Sequence, residues 1–309
     1  MNEETAPAPP FVSVVIPVYN DPVRVRETVK ALARQDYPGD RFEIIVVDNG
    51  SADQLRPQLT DYPVTIIEES AVRSSYAARN RGVLGARGEI IAFTDSDCIP
   101  ENAWLSSGVR AFQEKNAALV GGQMRYRFSS KRTGAEYLDA LANSENKRSI
   151  EERGVTMTAN LFVRKDIFEE IGPFPATVIS GGDIYFTGKA TAAGYRLAYA
   201  PGAVVGHPTR TFTPLMKRFF RIGTGKASLK RLPLNDAGAR LIGKPGRRNR
   251  LAQLNPLDLH RRLSKCGYRV SFGKFLKILI TLYAALTATA LGAIMERRGT
   301  SMTDSALPG

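Results

Sequence analysis

Four apolar runs, each followed by residues at helical spacing, fill the first hundred positions of the chain. Phe11–Val18 (FVSVVIPV) and Ile90–Phe93 have the near-continuous apolar character of buried strands, and Phe42–Val47 and Val64–Glu68 read as the second and third strands. Pro17 and the Tyr19-Asn20-Asp21-Pro22 turn end the first run, and Pro100 stops continuation beyond the fourth. Between the runs, Val25, Val29 and Leu32 mark a helix over 23–35 that starts at Asp21 or Pro22. A short helix is expected around 52–60. A longer one, capped by Ser74 and closed by Gly88, carries Ala77, Ala78, Arg79 and Asn80. Strand and helix alternating four times in so short a span predict an α/β fold with a parallel, doubly wound sheet flanked by helices.

Beyond Trp104 the alternation loosens. The pattern predicts a helix around Val109–Phe112, a strand over Leu119–Tyr126, a helix over 133–143 and a strand over Thr156–Val163. The charged stretch Glu145–Arg153 is expected to be mobile, and Asp166 to cap a helix over Ile167–Ile171. Ser180-Gly181-Gly182-Asp183 forms a glycine-rich turn that opens a helix over Ile184–Ala193, with short strands at Tyr195–Tyr199 and Ala203–Val205. Ile278–Met295 then runs 18 residues without a charge, between Lys274 and Lys277 on one side and Arg297 and Arg298 on the other.

Composition changes this picture in two places. At 309 residues and 43% hydrophobic content the chain has ample core for one large domain with an appendage. The expected division is a lead over 1–10 without a signal peptide, a sheet domain over 11–216 split near 105, a basic segment over 217–272, a hydrophobic helix over 273–298 and a tail. The net charge of +13 is uneven: Lys217–Lys277 holds 17 basic residues against Asp236 and Asp258, while the remainder is nearly neutral. That asymmetry points to an anionic surface as partner of the tail. Cys98 and Cys266 match no metal or redox spacing, which fits a reducing compartment.

Candidate chemistry gathers at the carboxyl ends of the expected strands, where open α/β sheets bind ligands. Asp95-Ser96-Asp97 sets two carboxylates one residue apart directly after the fourth run, a pattern suited to Mg²⁺ or Mn²⁺ with substrate phosphates, or to a plain solvated turn. Pro17 and Tyr19 offer a shaped turn and an aromatic. Asp48 offers a carboxylate for a base edge or ribose hydroxyl, or else a helix cap, and Arg79 a cation near phosphates, or else a framing charge. Asp183 is either a general base or a residue favoured at a helix N-terminus. His207, after a strand end, is either structural or a neutral imidazole ligand. There is no Gly-X-Gly-X-X-Gly and no Gly-Lys-Ser/Thr, which disfavours dinucleotide and P-loop folds.

The ordered series SVVIPVYN (13–20), IIVVDNGSAD (44–53), AARNRGVLGARGEIIAFTDSDCIPENAWL (77–105), TANLFV (158–163) and GGDIYFTGKATAAGYRLAYAPGAVVGH (181–207) resembles the successive motifs of family 2 glycosyltransferases. The resemblance implies a GT-A fold and inverting transfer of a sugar, with Mn²⁺ or Mg²⁺, from a nucleotide-sugar donor (UDP-sugar favoured) to a saccharide or lipid-linked acceptor. It implies Asp48 as the nucleoside-binding acid, Asp95 and Asp97 as the metal-diphosphate pair, Asp183 as catalytic base and His207 as a further metal ligand. Asp48-Asn49 stands where a paired acid is common, and Gly182-Asp183 where Glu-Asp is frequent. Gln-X-X-Arg-Trp is absent; Lys217–Lys226 is similar to the basic-aromatic segment of non-processive members.

Two other classes are weaker. A nucleotidyltransferase calls for a glycine- and base-rich loop that 13–24 lacks. The pI near 9.9 raises nucleic-acid binding, but the charge lies outside the sheet domain and its segment has few aromatics for stacking. Other nucleotide-dependent transfer and an inactive nucleotide-sugar-binding homologue stay open. For Ile278–Met295, about 27 Å long as a helix, three placements stay open: spanning a bilayer, lying in its interface or mediating helix contacts, and packing on the soluble domain. A span would keep the catalytic part at the cytoplasmic face.

Overall fold

The computed structural model describes residues 8–52, 55–232 and 255–298, so the ends of the chain and residues 233–254 of the expected basic segment lie outside the described residues. Two compact units emerge. The first takes the chain up to Gln123 together with Met157–Phe174 and Tyr195–Gly206; the second takes Met124–Thr156, Pro175–Gly194 and the chain from His207 onward.

In the first half of the chain the order is β1 (Val12–Val18), α1 (Pro22–Leu32), β2 (Phe42–Asp48), α2 (Arg56–Leu59), β3 (Val64–Glu68), α3 (Ser75–Gly85), β4 (Ile90–Thr94), β5 (Ile99–Pro100), α4 (Trp104–Lys115) and β6 (Leu119–Arg127). There follow α5 (Gly134–Asn143), α6 (Asn146–Arg153), β7 (Asn160–Arg164), α7 (Ile167–Ile171), α8 (Gly182–Ala192), β8 (Leu197–Pro208) and α9 (Phe212–Leu229). Two further helices, α10 (Pro256–Lys265) and α11 (Phe272–Arg297), complete the described chain.

The eight strands form one sheet in the order β3-β2-β1-β4-β7-β6-β8-β5. Strands β1 to β4 pair in parallel, as the alternation demands, while β7 joins β4 antiparallel and turns the sheet mixed. All seven residues of β1 and all five of β4 are buried, which is why these runs carry no alternation. Asn160 is the polar residue that the mixed half needs. Its side chain donates to the carbonyls of Gln123 (3.0 Å) and Ala203 (2.9 Å) and accepts from the Trp104 indole (2.9 Å), tying β6, β8 and α4 to β7.

Local expectations fail where a partner distant in sequence decides. Glu145–Arg153, expected to be mobile, is helix α6, because Ile150 packs inside and Asn146 accepts from the buried Thr156 hydroxyl at 3.0 Å. Gly88 does not close α3, which ends at Gly85. The start of α1 is as expected, with Asp21 at the N-cap position and Pro22 first in the helix, but the Asp21 side chain makes no cap bond and pairs with Arg24 at 2.9 Å. Asp166 likewise caps nothing and pairs with Arg164 at 2.8 Å. The strand expected over 156–163 begins only at Asn160, and the two short strands after Tyr195 are one, β8. Ser74 caps as expected, accepting from the Tyr76 N–H at 3.2 Å.

Candidate active site

In the sheet unit, the loops that leave β1, β2 and β4 carry the expected residues, and each loop is held by specific bonds. Pro17 lies within buried β1, and Tyr19 stands 44% exposed just past its end, with the Arg73 guanidinium 5.7 Å from its ring centre. The Asn20 side-chain carbonyl accepts from Ala52 N–H (2.8 Å), and the Ser51 hydroxyl accepts from Asn20 N–H (2.9 Å), joining the β1 and β2 loops. Asp48 ends β2 and accepts the Ser51 N–H at 2.9 Å, a turn bond that orients its carboxylate. Asn49, in the position where a second acid is common, is structural: it is buried and donates to the carbonyls of Glu69 (2.7 Å) and Val72 (2.8 Å).

The Asp95–Asp97 turn is held from three sides. Arg79, buried within α3, reaches Asp95 at 2.5 Å, so this cation fixes the first carboxylate rather than standing alone for phosphates. Its Nε is buried and has no hydrogen-bond partner. From α1, the buried Thr28 hydroxyl lies 2.8 Å from the Ser96 carbonyl, 2.7 Å from that of Cys98 and 3.2 Å from that of Arg24, with one proton to donate among them. Sequence patterning missed this residue, although a hydroxyl on the apolar stripe Val25–Val29–Leu32 was a signal. The Cys98 thiol lies 3.7 Å from Asp97, and burial, reinforced by the charges of Asp95 and Asp97, pushes its pKa well up. With Asp97 and His207 it forms a group whose ligand atoms all lie within 4.8 Å of one another.

Asp95 and Asp97 are partly open to solvent, and the buried cation beside them is Arg79; Arg24 reaches Asp97 only at 3.9 Å and is largely exposed. Two hard oxygen donors with a residual negative charge fit a hard divalent cation.

The second unit places Asp183 and His207. Gly181, at φ 87°, supplies the left-handed residue from which α8 departs, two residues earlier than the pattern predicts. Asp183 therefore sits inside the first turn, and its Oδ1 accepts the Ile184 N–H at 2.9 Å. His207 is buried near the end of β8, directly after Gly206, the residue that pairs with Ile99. Its Nδ1 lies 2.6 Å from the Pro208 carbonyl and its Nε2 3.3 Å from an Arg210 guanidinium nitrogen. Both contacts suit one neutral tautomer, with Nδ1–H donating and Nε2 carrying the lone pair.

Behind His207 lies a cluster that the sequence did not announce. Asp139, fully buried on α5, accepts from the Arg210 backbone N–H (3.0 Å) and guanidinium (3.3 Å) and from the Arg218 guanidinium (3.4 Å). Burial pushes the Arg218 pKa down despite the attraction of Asp139. Next to it Glu136 completes a capping box with Thr133 and also accepts the Ser129 N–H at 2.6 Å.

The sequence profile of the family described as "Glycosyl transferase family 2" matches residues 13–172. Glycosyltransferase AglE of Haloferax volcanii is 37% identical over 300 residues, covering 92% of this chain and 95% of its own. Among solved structures, mannosyltransferase PcManGT from Pyrobaculum calidifontis, in complex with GDP-Man and Mn²⁺, superposes with a TM-score of 0.65 at 20% identity, covering 96% of this chain and 91% of its own. Staphylococcus aureus TarS 1–349 in complex with UDP-GlcNAc gives 0.51 at 18% identity, covering 94% and 92%. At those identities the structures establish a shared GT-A fold.

Proposed function

The chain belongs to glycosyl transferase family 2 and is a glycosyltransferase, and on that premise we propose that it transfers a sugar from a nucleoside-diphosphate donor, UDP-linked in preference, to a hydroxyl acceptor with inversion. The observation that carries this is the Asp95–Asp97 turn at the carboxyl end of β4, buttressed by Arg79 and Thr28. Solved relatives of the same fold are described with GDP-Man and with UDP-GlcNAc, which supports a nucleotide-sugar donor.

In this proposal Asp48, with Pro17 and Tyr19 shaping the neighbouring turn, hydrogen-bonds the nucleoside. Arg79 keeps Asp95 oriented. Asp95 and Asp97 would hold Mn²⁺ or Mg²⁺, joined by His207 once its Nε2 exchanges the Arg210 guanidinium for the ion, and the ion would supply Lewis-acid stabilisation to the departing diphosphate. Asp183 takes the proton from the acceptor hydroxyl as its oxygen bonds the anomeric carbon from the face opposite the leaving group. The anomeric C–O bond breaks, and its electron pair leaves with the nucleoside diphosphate. A base in this role contributes about 10²–10⁴-fold in rate. The basic, apolar carboxyl-terminal part holds the enzyme at an anionic membrane surface, with the catalytic part on the cytoplasmic side, and the acceptor is a saccharide or lipid-linked glycan of cell-surface polysaccharide or glycolipid synthesis.

The test is nucleotide release from a panel of UDP-, GDP- and dTDP-sugars with Mn²⁺, with Mg²⁺ and with excess chelator. Release that depends on one donor and on the metal is expected; undiminished turnover in chelator overturns the metal assignment, and no turnover of any donor overturns the donor class.

A further inference from the structure

We infer that α11 seats the enzyme in one leaflet as an in-plane helix, lying along an anionic lipid surface and not crossing it; this rests on the membrane attachment proposed above. By length alone α11 could cross, since 26 residues give about 39 Å. Its neighbours forbid it. The amino-terminal half packs on α5: a Cβ at Gly134 would lie 3.0 Å from backbone atoms of Lys277 and Ile278, and the Lys274 ammonium sits 5.6 Å from the Tyr137 ring centre. The carboxyl-terminal half packs on α9 through glycines. A Cβ at Gly223 would meet the Thr289 carbonyl at 2.0 Å, and one at Gly292 the Phe220 carbonyl at 2.2 Å, so the two backbones touch where only glycine allows. The far end is fastened by Glu296, which accepts from Ser228 at 3.0 Å and from Arg231 at 3.1 Å.

A crossing α11 would therefore drag α9 into the hydrocarbon, and with it the exposed Arg221 and Lys226. Charges there are costly, and peeling α9 away would expose both glycine seams instead. The opposite face of α11 has the composition of a lipid seat. Phe272, Leu276, Ile280, Tyr283, Leu291 and Ile294, each at least 45% exposed, recur at steps of three, four or eight residues and form one stripe along the helix. The buried residues Ile278, Thr281, Ala285 and Gly292 line the other side. Exposed positive charge accompanies the apolar stripe, with Lys277 between Leu276 and Ile280 and Arg297 and Arg298 beyond Ile294, the arrangement that an anionic headgroup layer complements.

Depth measurement decides the matter. Phe272→Trp, Tyr283→Trp and Ile294→Trp place a reporter at three points of the same stripe, spaced eleven residues apart. Each full-chain variant is bound to phosphatidylcholine vesicles containing phosphatidylglycerol, and quenching by lipids brominated at shallow and deep acyl positions is read. Equal, shallow quenching at all three positions is expected. Deepest quenching at 283 with shallow ends overturns the in-plane seat but keeps attachment. Failure of the unmodified chain to float with the vesicles overturns attachment itself, and nucleotide-sugar turnover in the same samples reports the catalytic proposal separately. As a second reading, Ile280→Asp with Leu291→Asp should weaken vesicle binding about 10-fold or more with unchanged turnover in solution; unchanged binding overturns the seat.

Discussion

The turn after β4 and the cluster around Asp139 handle buried charge in opposite senses. At the turn the buried Arg79 holds one of two carboxylates, Asp95, while Asp97 meets the exposed Arg24 at 3.9 Å, so negative charge stays accessible there. Around Asp139 one buried carboxylate serves two guanidiniums, those of Arg210 and Arg218, and the surplus is positive. Both arrangements cost desolvation that an internal pairing only partly offsets. The first surplus faces partly open carboxylates, so a cation can relieve it on arrival. In the second, the carboxylate is wholly enclosed and the pairing is permanent. The first arrangement is therefore expected to govern turnover and the second stability.

The largest effect should come from breaking the first member. Asp97→Ala is expected to reduce Mn²⁺-dependent nucleotide release by at least about 10³-fold, the scale of losing a principal transition-state stabiliser, while the melting curve moves little. A variant that keeps its rate would remove the turn from the chemistry. Breaking the second member should do the reverse. Asp139→Ala leaves two poorly solvated guanidiniums without their carboxylate and should lower unfolding free energy by about 3 kcal/mol or more in urea titration. Unchanged stability would mean that Arg210 and Arg218 reorient to water at no cost, and the contrast between the two clusters would fail.

The same contrast explains what the sequence made legible. The parallel strands β1 to β4 and the carboxylates at their ends are local facts: a buried run, a breaker, an acid. Ordered motifs then identified the GT-A fold. The supports of that site were not local. Thr28 grips the Ser96 and Cys98 carbonyls from about seventy positions away, and Asn160 gathers three elements whose approach no window of sequence contains. In the helical unit nearly everything depends on such partners. Asp139 reads as one more polar residue on an amphipathic helix, and α6 reads as a solvated charge run until Ile150 and Asn146 find their places. The apolar run at 278–295 was plain, but its seam against α9 depends on Gly223 and Gly292, which carry no hydropathy signal.

A smaller effect tests whether Asp183 belongs with the functional or the structural kind of charge. It accepts the Ile184 N–H, as a helix-start residue does, and its first-turn position is electrostatically favourable. Asparagine keeps the size and the acceptor but not the basicity. Asp183→Asn is expected to leave donor binding intact and slow transfer to acceptor by about 10²-fold. A stability loss with an unchanged rate would move Asp183 into the same class as Asp139.

The smallest expected effect lies at Glu136, where pH can separate a held carboxylate from a working one. Burial alone would raise its pKa, but hydrogen bonds from Thr133 and Ser129 outweigh that and hold it down at about 2 from an ordinary 4.5. A carboxyl whose folded pKa is depressed contributes stability that is fully present above the unfolded value. That contribution is lost as pH falls from about 4.5 towards 2. Glu136→Gln keeps one acceptor oxygen for the capping box but removes the charge, so at pH 7 it should cost about 1 kcal/mol. The difference between variant and parent, followed by urea titration from pH 7 downward, should shrink through that window and approach zero near its lower end. A constant difference across the window would show that the amide lost only shape and hydrogen bonds, and that the charge of Glu136 contributes nothing to holding the start of α5.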